Sequence, residues 1–550
     1  MTSLTLAANF SATSPSSQSA RLASRFGFRV SEIHRDSIST DAKRGLSLRD
    51  EMEEICGSVI VRNGEVNYAL REAVCMARPA PIIIPTEPIG TIPRPIQRVL
   101  AQGIRGLYAG LSSSGKLARP TCIVLLSLLL EGCTSPSVHE PVTLTLLDEW
   151  TNKTFSEARQ QELQQFTRET GIRVSLLPSP ESARQKLALW KELLGTGASG
   201  PDVYAVDVIW PGMLAEYFVD LKPYFANEVS LQFPGIAAGY TVDNKLVALA
   251  YRVDIGLLYY RTDLLRQYGY REPPRTWDEL EGMAARIQAG ERAKGKKQFW
   301  GYVWQGAADE VLTCDALEWQ AAEGGGQIIE ENKTISVNNP QAIRAWQRAA
   351  RWVGSISPPG VVGYREWDSL NVWVAGDAAF MRHWPSAYFD SQAAGSAIRN
   401  KFETALLPGG KAGRVGTLGG WGLAVSRVSA HPREALELVR YLTRRDVQVK
   451  RSRLLSQPPT LRELYNLPEV LEPNPRFDLL SQAFRTGIVS RPSNVAGKKY
   501  QDVTDAYIQA VHSVLTGEKS ALEAAAALEN ELVRVTGFKK GPPQERSAQP

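Results

Sequence analysis

The chain has 550 residues, of which 43% are hydrophobic and 22% are charged, with a formal net charge of +5. This composition excludes a wholly disordered or fibrous protein, and the length predicts several domains or a few large ones. No apolar run reaches the roughly 18 residues that a membrane-spanning helix needs, which argues against a polytopic membrane protein.

Residues 1–132 are predicted to be an N-terminal extension and export leader. Basic residues precede a nine-residue apolar block at 122–130, and Gly132 and Cys133 follow it, which is the order of a secretory signal. The alternative interpretation of this block is a buried core strand. Because the block lies so far from residue 1, we expect a start codon assigned too far upstream, with residues 1–75 outside the translated protein.

The apolar block ends in Leu130-Glu131-Gly132-Cys133, which resembles a bacterial lipobox. The resemblance implies that Cys133 is lipidated and anchors the protein to a membrane. Glu131 departs from the pattern, since a small or hydroxylated residue is usual there.

The leader also accounts for most of the charge. Residues 1–132 hold 15 Lys and Arg against 11 Asp and Glu, so the remainder is close to neutral. We therefore expect no nucleic-acid partner. Cys314 is predicted to be a small core residue. The five histidines lack metal-ligand spacing, and we expect neither a metal nor a cofactor.

The rest of the chain alternates between strand and helix patterns. Strands are predicted at 142–147, 172–177, 202–209, 247–260, 299–304, 378–382 and 416–426, and helices at 155–170, 182–194, 311–323, 340–353, 366–375, 432–443, 500–516 and 519–535. A further helix begins with a capping box formed by Thr276 and Glu279. This order predicts an α/β fold with mainly parallel sheets, whose ligands bind at the carboxyl ends of strands, where Asp207 and Trp210 fall.

Tryptophan is concentrated in one part of the chain, with all 13 residues between 150 and 421. Indole rings stack on the apolar faces of sugar rings, and carboxylates, amides and arginine hydrogen-bond to the hydroxyls. Most of these tryptophans, eight or nine, are nevertheless expected to fill the core.

Several segments in this order resemble the family 1 solute-binding proteins of ABC importers, the maltose/trehalose-binding branch in particular. They are DVYAVDVIWPGMLAEYFVDLKPYF at 202–225, LLYYRTDLL at 257–265, FWGYVWQG at 299–306, AAFMRHWP at 378–385 and TLGGWGLAVS at 417–426. The resemblance covers roughly 141–535.

The resemblance implies a type II periplasmic-binding-protein-like fold, in which two α/β lobes joined by a multi-crossing hinge close on the ligand. We expect lobe 1 at 137–249 plus 385–420, lobe 2 at 250–384 plus 421–538, and a loose tail at 539–550. The hinge crossings are expected near 247–254, near 384 and near 421–426. The implied partners are a sugar and an ABC permease with its ATPase, and we expect a monomer in the periplasm or on the outer face of the cytoplasmic membrane.

The resemblance also implies the ligand-binding residues. Asp207 and Asp254 match hydroxyl-binding carboxylates, Trp384 and Trp421 match stacking tryptophans, and Arg491 matches a ligand-binding arginine. Gly419 and Gly420 would let the backbone approach the ligand, and Glu157 matches a further acidic contact in loose register. No catalytic residue is implied.

The chain departs from the branch at two places near the expected cleft. Arg252 stands where Tyr is common, and Ala308-Asp309 stands where a Tyr often follows FWGYVWQG. The sugar is therefore expected to differ from trehalose or maltose, or to be a glycoside with a charged part. Structural roles also remain open: Arg252 and Asp254 as a hinge ion pair, Arg491 as a surface salt bridge, and both tryptophans as hinge packing.

Two other functions stay open at this point. A secreted glycoside hydrolase could use Asp207 and Asp254 as paired carboxylates. A sensor-coupled sugar-binding protein would bind the same ligand without transport.

Overall fold

The computed structural model describes residues 60–62, 65–67, 141–149, 153–180, 182–197, 200–474 and 476–544. The chain divides into two compact units, Met1–Cys133 and Thr134–Pro550. In the first unit, β1 (Ile60–Arg62) pairs with β2 (Glu65–Asn67) in an antiparallel hairpin. The predicted export segment and Cys133 lie outside the described residues. None of the helices in the described ranges is long and apolar enough to cross a membrane.

The second unit carries fourteen described strands. They are β3 (Thr143–Leu147), β4 (Arg173–Leu177), β5 (Val203–Asp207), β6 (Thr241–Val242), β7 (Lys245–Leu246), β8 (Leu249–Ile255), β9 (Leu257–Arg261), β10 (Trp300–Val303), β11 (Thr334–Ile335), β12 (Ala378–His383), β13 (Phe402–Leu406), β14 (Gly416–Val425), β15 (Ile488–Val489) and β16 (Lys539–Lys540).

The described α-helices of this unit alternate with those strands. They are α1 (Lys153–Thr170), α2 (Ala183–Gly195), α3 (Pro211–Leu214), α4 (Lys222–Ser230), α5 (Pro234–Gly239), α6 (Thr262–Gln267), α7 (Trp277–Ala293), α8 (Glu310–Ala322), α9 (Pro340–Trp352), α10 (Glu366–Val374), α11 (Ala387–Ser391), α12 (Pro432–Thr443), α13 (Arg445–Leu455), α14 (Pro468–Leu471), α15 (Phe477–Thr486), α16 (Ser493–Ala496), α17 (Tyr500–Leu515) and α18 (Ala521–Thr536).

Two sheets organise this unit. The first has the order β15-β14-β5-β3-β4, with β8 also paired to β14, and the second has the order β10-β12-β9-β13. The three early strands β3, β4 and β5 are parallel to one another, as their alternation with helices predicts. We call the part of the unit built on the first sheet lobe 1 and the part built on the second sheet lobe 2.

The capping box predicted at the start of α7 is confirmed. The Thr276 hydroxyl accepts a hydrogen bond from the Glu279 backbone N–H at 3.2 Å, and the Glu279 carboxylate accepts one from the Thr276 N–H at 3.2 Å. These bonds satisfy backbone donors that the first helical turn leaves free, and they fix where α7 begins.

The chain passes between the two lobes close to the predicted 247–254, but not near 384 or within 421–426. Gly256 separates β8 in the first sheet from β9 in the second, 407–415 leads back from β13 to β14, and 490–499 leads from β15 to α17. The predicted crossing near 384 is wrong, because the chain passes from β12 through α11 to β13 within the second sheet.

The predicted lobe boundaries change accordingly. Strand β13, assigned to lobe 1 as part of 385–420, hydrogen-bonds along its length to β9 and belongs to lobe 2. Helix α12, assigned to lobe 2 as part of 421–538, packs on β8 and β14 of lobe 1. Tertiary pairing decides these memberships, and nothing local in the sequence specifies it.

Gly256 shows why the first crossing needs glycine. A Cβ atom built there would lie 2.0 Å from Glu318 Oε1 and 2.8 Å from Arg382 Nη2. Both side chains are fully buried, and they form an ion pair at 2.6 Å. Any larger residue would displace this pair.

The C-terminal residues are more ordered than predicted. β16 pairs in parallel with β11, and the Lys540 ammonium contacts Glu529 at 2.9 Å and Asn530 at 2.7 Å. The prediction of a loose tail is therefore wrong for 539–544, while 545–550 lie outside the described residues.

The tryptophan-rich core agrees with the sequence. Eight tryptophans are less than 2% exposed: Trp190, Trp210, Trp277, Trp304, Trp319, Trp346, Trp352 and Trp373. Several pack edge to face in lobe 2, such as Trp304 and Trp319 with ring centroids 5.0 Å apart. Cys314 is buried, as predicted.

Candidate functional site

The middle of β14 gathers most of the predicted site residues on one face. Trp421 lies opposite Asp207 on β5 and opposite Arg252 on β8, and Gly419 lies opposite Asp254 on β8. Directly opposed residues of antiparallel strands point to the same side of a sheet, and residues two apart on a strand share that side. We call this set of five residues the β14 face.

Arg252 is the centre of a buried ion network on the β14 face. Its Nε and Nη2 donate to the two carboxylate oxygens of Glu149 at 2.9 and 2.6 Å, and its Nη1 donates to Asp254. The three residues are 8%, 5% and 5% exposed. Burial raises the pKa of both carboxyls because it penalises their charged forms, and Arg252 opposes that rise.

A second arginine joins carboxylates from the two lobes. Arg491 Nη2 lies 3.8 Å from Asp207 at the end of β5, and its Nη1 donates to Glu310 at the start of α8 at 3.0 Å. Glu310 also accepts bonds from the hydroxyls of Tyr500 at 2.5 Å and Thr504 at 2.8 Å. Arg491 Nε is buried and has no hydrogen-bond partner among the described residues.

Asp207 keeps more exposure than Glu149 and Asp254, the two carboxylates that bind Arg252. Its side chain is 15% exposed, and it accepts one bond from the Ile209 N–H at 3.2 Å. Burial raises the pKa of Asp207 to about 6, against the opposing effect of Arg491. This carboxyl therefore titrates just below neutral pH.

The two predicted tryptophans have different surroundings. Trp384 is partly exposed, and the Arg382 guanidinium lies 4.1 Å from the centre of its ring. Trp421 is 8% exposed, because Trp210 meets it edge-on at 5.2 Å and the Lys186 ammonium lies 5.5 Å from its ring centre. Trp384 thus offers more indole surface than Trp421.

The backbone at the two predicted glycines is closely packed against other groups of the protein. A Cβ atom on Gly419 would lie 3.1 Å from the Trp384 ring and 3.3 Å from Asp254 Cβ. Gly420 has φ of +133°, and a Cβ atom there would lie 2.5 Å from the Arg252 carbonyl oxygen. Trp384 of lobe 2 therefore contacts the β14 face through Gly419.

Glu157 is not brought to this cluster by any described contact. It lies on the exposed surface of α1 with 57% of its side chain accessible, and it pairs with Lys153 at 3.9 Å.

Sequence reasoning missed Glu149, Glu310 and Lys186. Glu149 comes two residues after β3, and Glu310 opens the helix that follows β10, so both lie beyond the carboxyl end of a strand, where ligands of parallel sheets bind. That position was the available signal. No sequence signal pointed to Lys186, because helix α2 carries several polar residues. Only the packing of α2 shows that Lys186 is the one near Trp421.

A cavity of about 1200 Å³ lies close to this site, between lobe 1 and lobe 2. Ile209, Gly239 and Leu418 line it from lobe 1, and Gly326 and Glu330 from lobe 2. Among the predicted ligand-binding residues, all of which the structure describes, only Arg491 lines it. Leu418 alternates with Gly419 along β14, so the cavity lies on the side of the strand away from Trp384.

In the part of the chain that the structure describes, no group of His, Cys, Asp and Glu residues could hold a metal ion. The site consists of carboxylates, arginines and indoles, which suits hydrogen bonding and stacking.

Comparison with known proteins places these features in one family. Residues 152–449 match the family model described as bacterial extracellular solute-binding protein. The chain belongs to this family. A probable ABC transporter-binding protein of Deinococcus radiodurans is 44% identical over 398 residues, which are 72% of this chain and 94% of that protein.

Solved structures agree on the architecture. A maltose-bound T. maritima MalE3 is 33% identical with a TM-score of 0.66, and it covers 72% of this chain and 100% of its own. The GacH receptor of Streptomyces glaucescens is 24% identical with a TM-score of 0.63, and it covers 73% of this chain and 100% of its own. At this identity it supports the fold alone. The predicted family and the type II fold are confirmed, and the protein is a solute-binding component of an ABC transporter.

Proposed function

We propose that this solute-binding protein takes a sugar, a di- or oligosaccharide, between its two lobes and delivers it to an ABC permease. The observation that carries the proposal is the β14 face, where carboxylate, arginine and indole groups converge. Polar groups of this kind hydrogen-bond to sugar hydroxyls, and the ring of Trp384 stacks on the apolar face of a pyranose. The maltose carried by the 33% identical MalE3 supports the same ligand class.

The arrangement of the lobes supports binding by closure. Asp207 belongs to lobe 1, Trp384 and Glu310 belong to lobe 2, and Arg491 lies on the segment that joins them. A ligand that contacts both lobes stabilises the closed form over the open one, which is the differential binding that drives closure.

Tryptophan fluorescence and calorimetry of residues 134–550 test the proposal against a panel of mono- and oligosaccharides that includes glucose, maltose, maltotriose and trehalose. We expect saturable binding of at least one sugar, with the sugar recovered unchanged. Asp207→Ala should weaken binding by roughly ten- to a hundredfold while the circular dichroism spectrum is retained. If no member of the panel binds, the sugar assignment is wrong, and if the bound sugar is hydrolysed, an enzyme is favoured.

We further propose that Cys133 carries a lipid that holds a monomeric protein at the outer face of the cytoplasmic membrane. Support comes from the lipobox-like ending of the apolar block and from the extracellular family. Expression in a bacterial host should place wild-type protein in the membrane fraction and Cys133→Ser in the soluble fraction. An unchanged distribution would contradict lipidation.

A further inference from the structure

Glu149 is a buried carboxylate that is fully engaged by neighbouring hydrogen-bond donors. It is 5% exposed, and both of its carboxylate oxygens accept from Arg252, at 2.9 and 2.6 Å. The Tyr251 hydroxyl donates to it as well. Arg252 thus meets Glu149 through the two-point geometry that guanidinium groups otherwise offer to ligand carboxylates.

A second group of buried ion pairs lies next to Glu149. The neighbouring Asp148 pairs with Arg159 at 2.7 Å, and Arg159 pairs with Glu162 at 2.7 Å. The Arg159 guanidinium lies 4.9 Å from the centre of the Tyr251 ring. Side chains held this tightly keep Glu149 and Arg252 in one geometry, so neither is released without cost.

Another arginine of the site is also shared between two carboxylates, while its buried Nε has no hydrogen-bond partner among the described residues. Arg491 is shared between Asp207 and Glu310, as Arg252 is shared between Glu149 and Asp254. With Lys186 added, these residues are four carboxylates against three cations. To pair with Arg252, whose Nε, Nη1 and Nη2 all donate to Glu149 or Asp254, an acidic ligand would have to displace one of these carboxylates and leave that charge buried without its cation.

We propose that Glu149 sets the charge selectivity of the sugar site at the β14 face. By occupying Arg252, it turns an anion-binding group into a positioning group for Asp254, so that the site accepts uncharged saccharides and rejects acidic ones. This inference rests on the proposed sugar-binding function. It also reverses the expectation that Arg252 signals a glycoside with a charged part.

Two matched disaccharides test the role of Glu149. They are a neutral disaccharide that binds in the panel above, maltose or another, and its counterpart in which a uronic acid replaces one of its sugar units. We expect calorimetry of wild-type residues 134–550 to show binding of the neutral member at least roughly a hundredfold tighter than the acidic member. In Glu149→Gln, which keeps the side-chain shape and removes the charge, the acidic member should gain roughly tenfold or more.

The control variant is Glu437→Gln, whose side chain lies on the exposed surface of α12. It removes the same net charge and should leave the ratio of the two affinities unchanged. A merely structural role of Glu149 would weaken both disaccharides together in Glu149→Gln, whereas the proposal requires the ratio to change.

The wild-type measurement stands even if Glu149→Gln does not fold. Equal affinity of wild-type protein for the neutral and acidic disaccharides would overturn the role of Glu149 and leave sugar binding intact. Failure of all the neutral sugars would overturn the proposed function itself.

Discussion

Replacing Asp207 by Asn should stabilise the protein at alkaline pH while impairing the binding site. Burial raises the pKa of Asp207 to about 6, from an ordinary value of 3.8. Because the folded-state pKa lies above that of the unfolded chain, this carboxyl contributes stability below about pH 4 and loses it as pH rises through 6. The difference corresponds to roughly 2–3 kcal/mol at pH 8.

Urea unfolding of residues 134–550, followed by tryptophan fluorescence, measures this effect. Asp207→Asn should raise the midpoint at pH 8 and leave it nearly unchanged at pH 4, where wild-type Asp207 is protonated. The exposed Asp502 of α17 provides the control, because Asp502→Asn should be close to neutral at both pH values. Lower stability of Asp207→Asn at pH 8, or an equal gain at both pH values, would refute the reasoning.

Three further changes have defined outcomes. Arg382→Leu leaves Asp315 and Glu318 buried without their cation, so the free energy of unfolding measured with urea should fall by about 3–5 kcal/mol. This loss should be smaller at pH 5, because burial raises the pKa of Asp315 and favours its neutral form. Trp384→Ala should weaken maltose binding by roughly tenfold or more in calorimetry, while the midpoint of urea unfolding changes little. An unchanged affinity would show that Trp384 is not part of the site. Gly420→Ala should cost about 2 kcal/mol or more, because its φ of +133° and the Arg252 carbonyl leave no place for a methyl group, and wild-type stability would contradict this geometry of β14.

Local patterns predicted most regular elements correctly. The helix predicted at 432–443 begins and ends at those residues, and the capping box at Thr276 forms as expected. Such features depend on the chain's nearest neighbours, so hydrophobic periodicity and capping residues are enough to specify them. The family could likewise be predicted from the sequence, because several short segments resemble it in the same order along the chain.

The candidate site was predicted in part. Asp207, Arg252, Asp254, Gly419 and Trp421 do meet on the β14 face, whereas Glu157 stays on the exposed surface of α1. Only the fold showed that Glu149 occupies Arg252 and that Glu310 holds Arg491. These partners are 103 and 181 residues apart in sequence, and no local signal joins them.

The length and charge of the chain are explained by its division into residues 1–132 and the remainder. By itself, the sequence determined that the first 132 residues carry most of the excess positive charge and that the remainder is an α/β solute-binding protein. The tertiary structure decided which lobe each strand joins, where the chain crosses between lobes, and which carboxylate neutralises each arginine. Strand pairing and the burial of charge are long-range events, since their free energy depends on groups that only folding brings together.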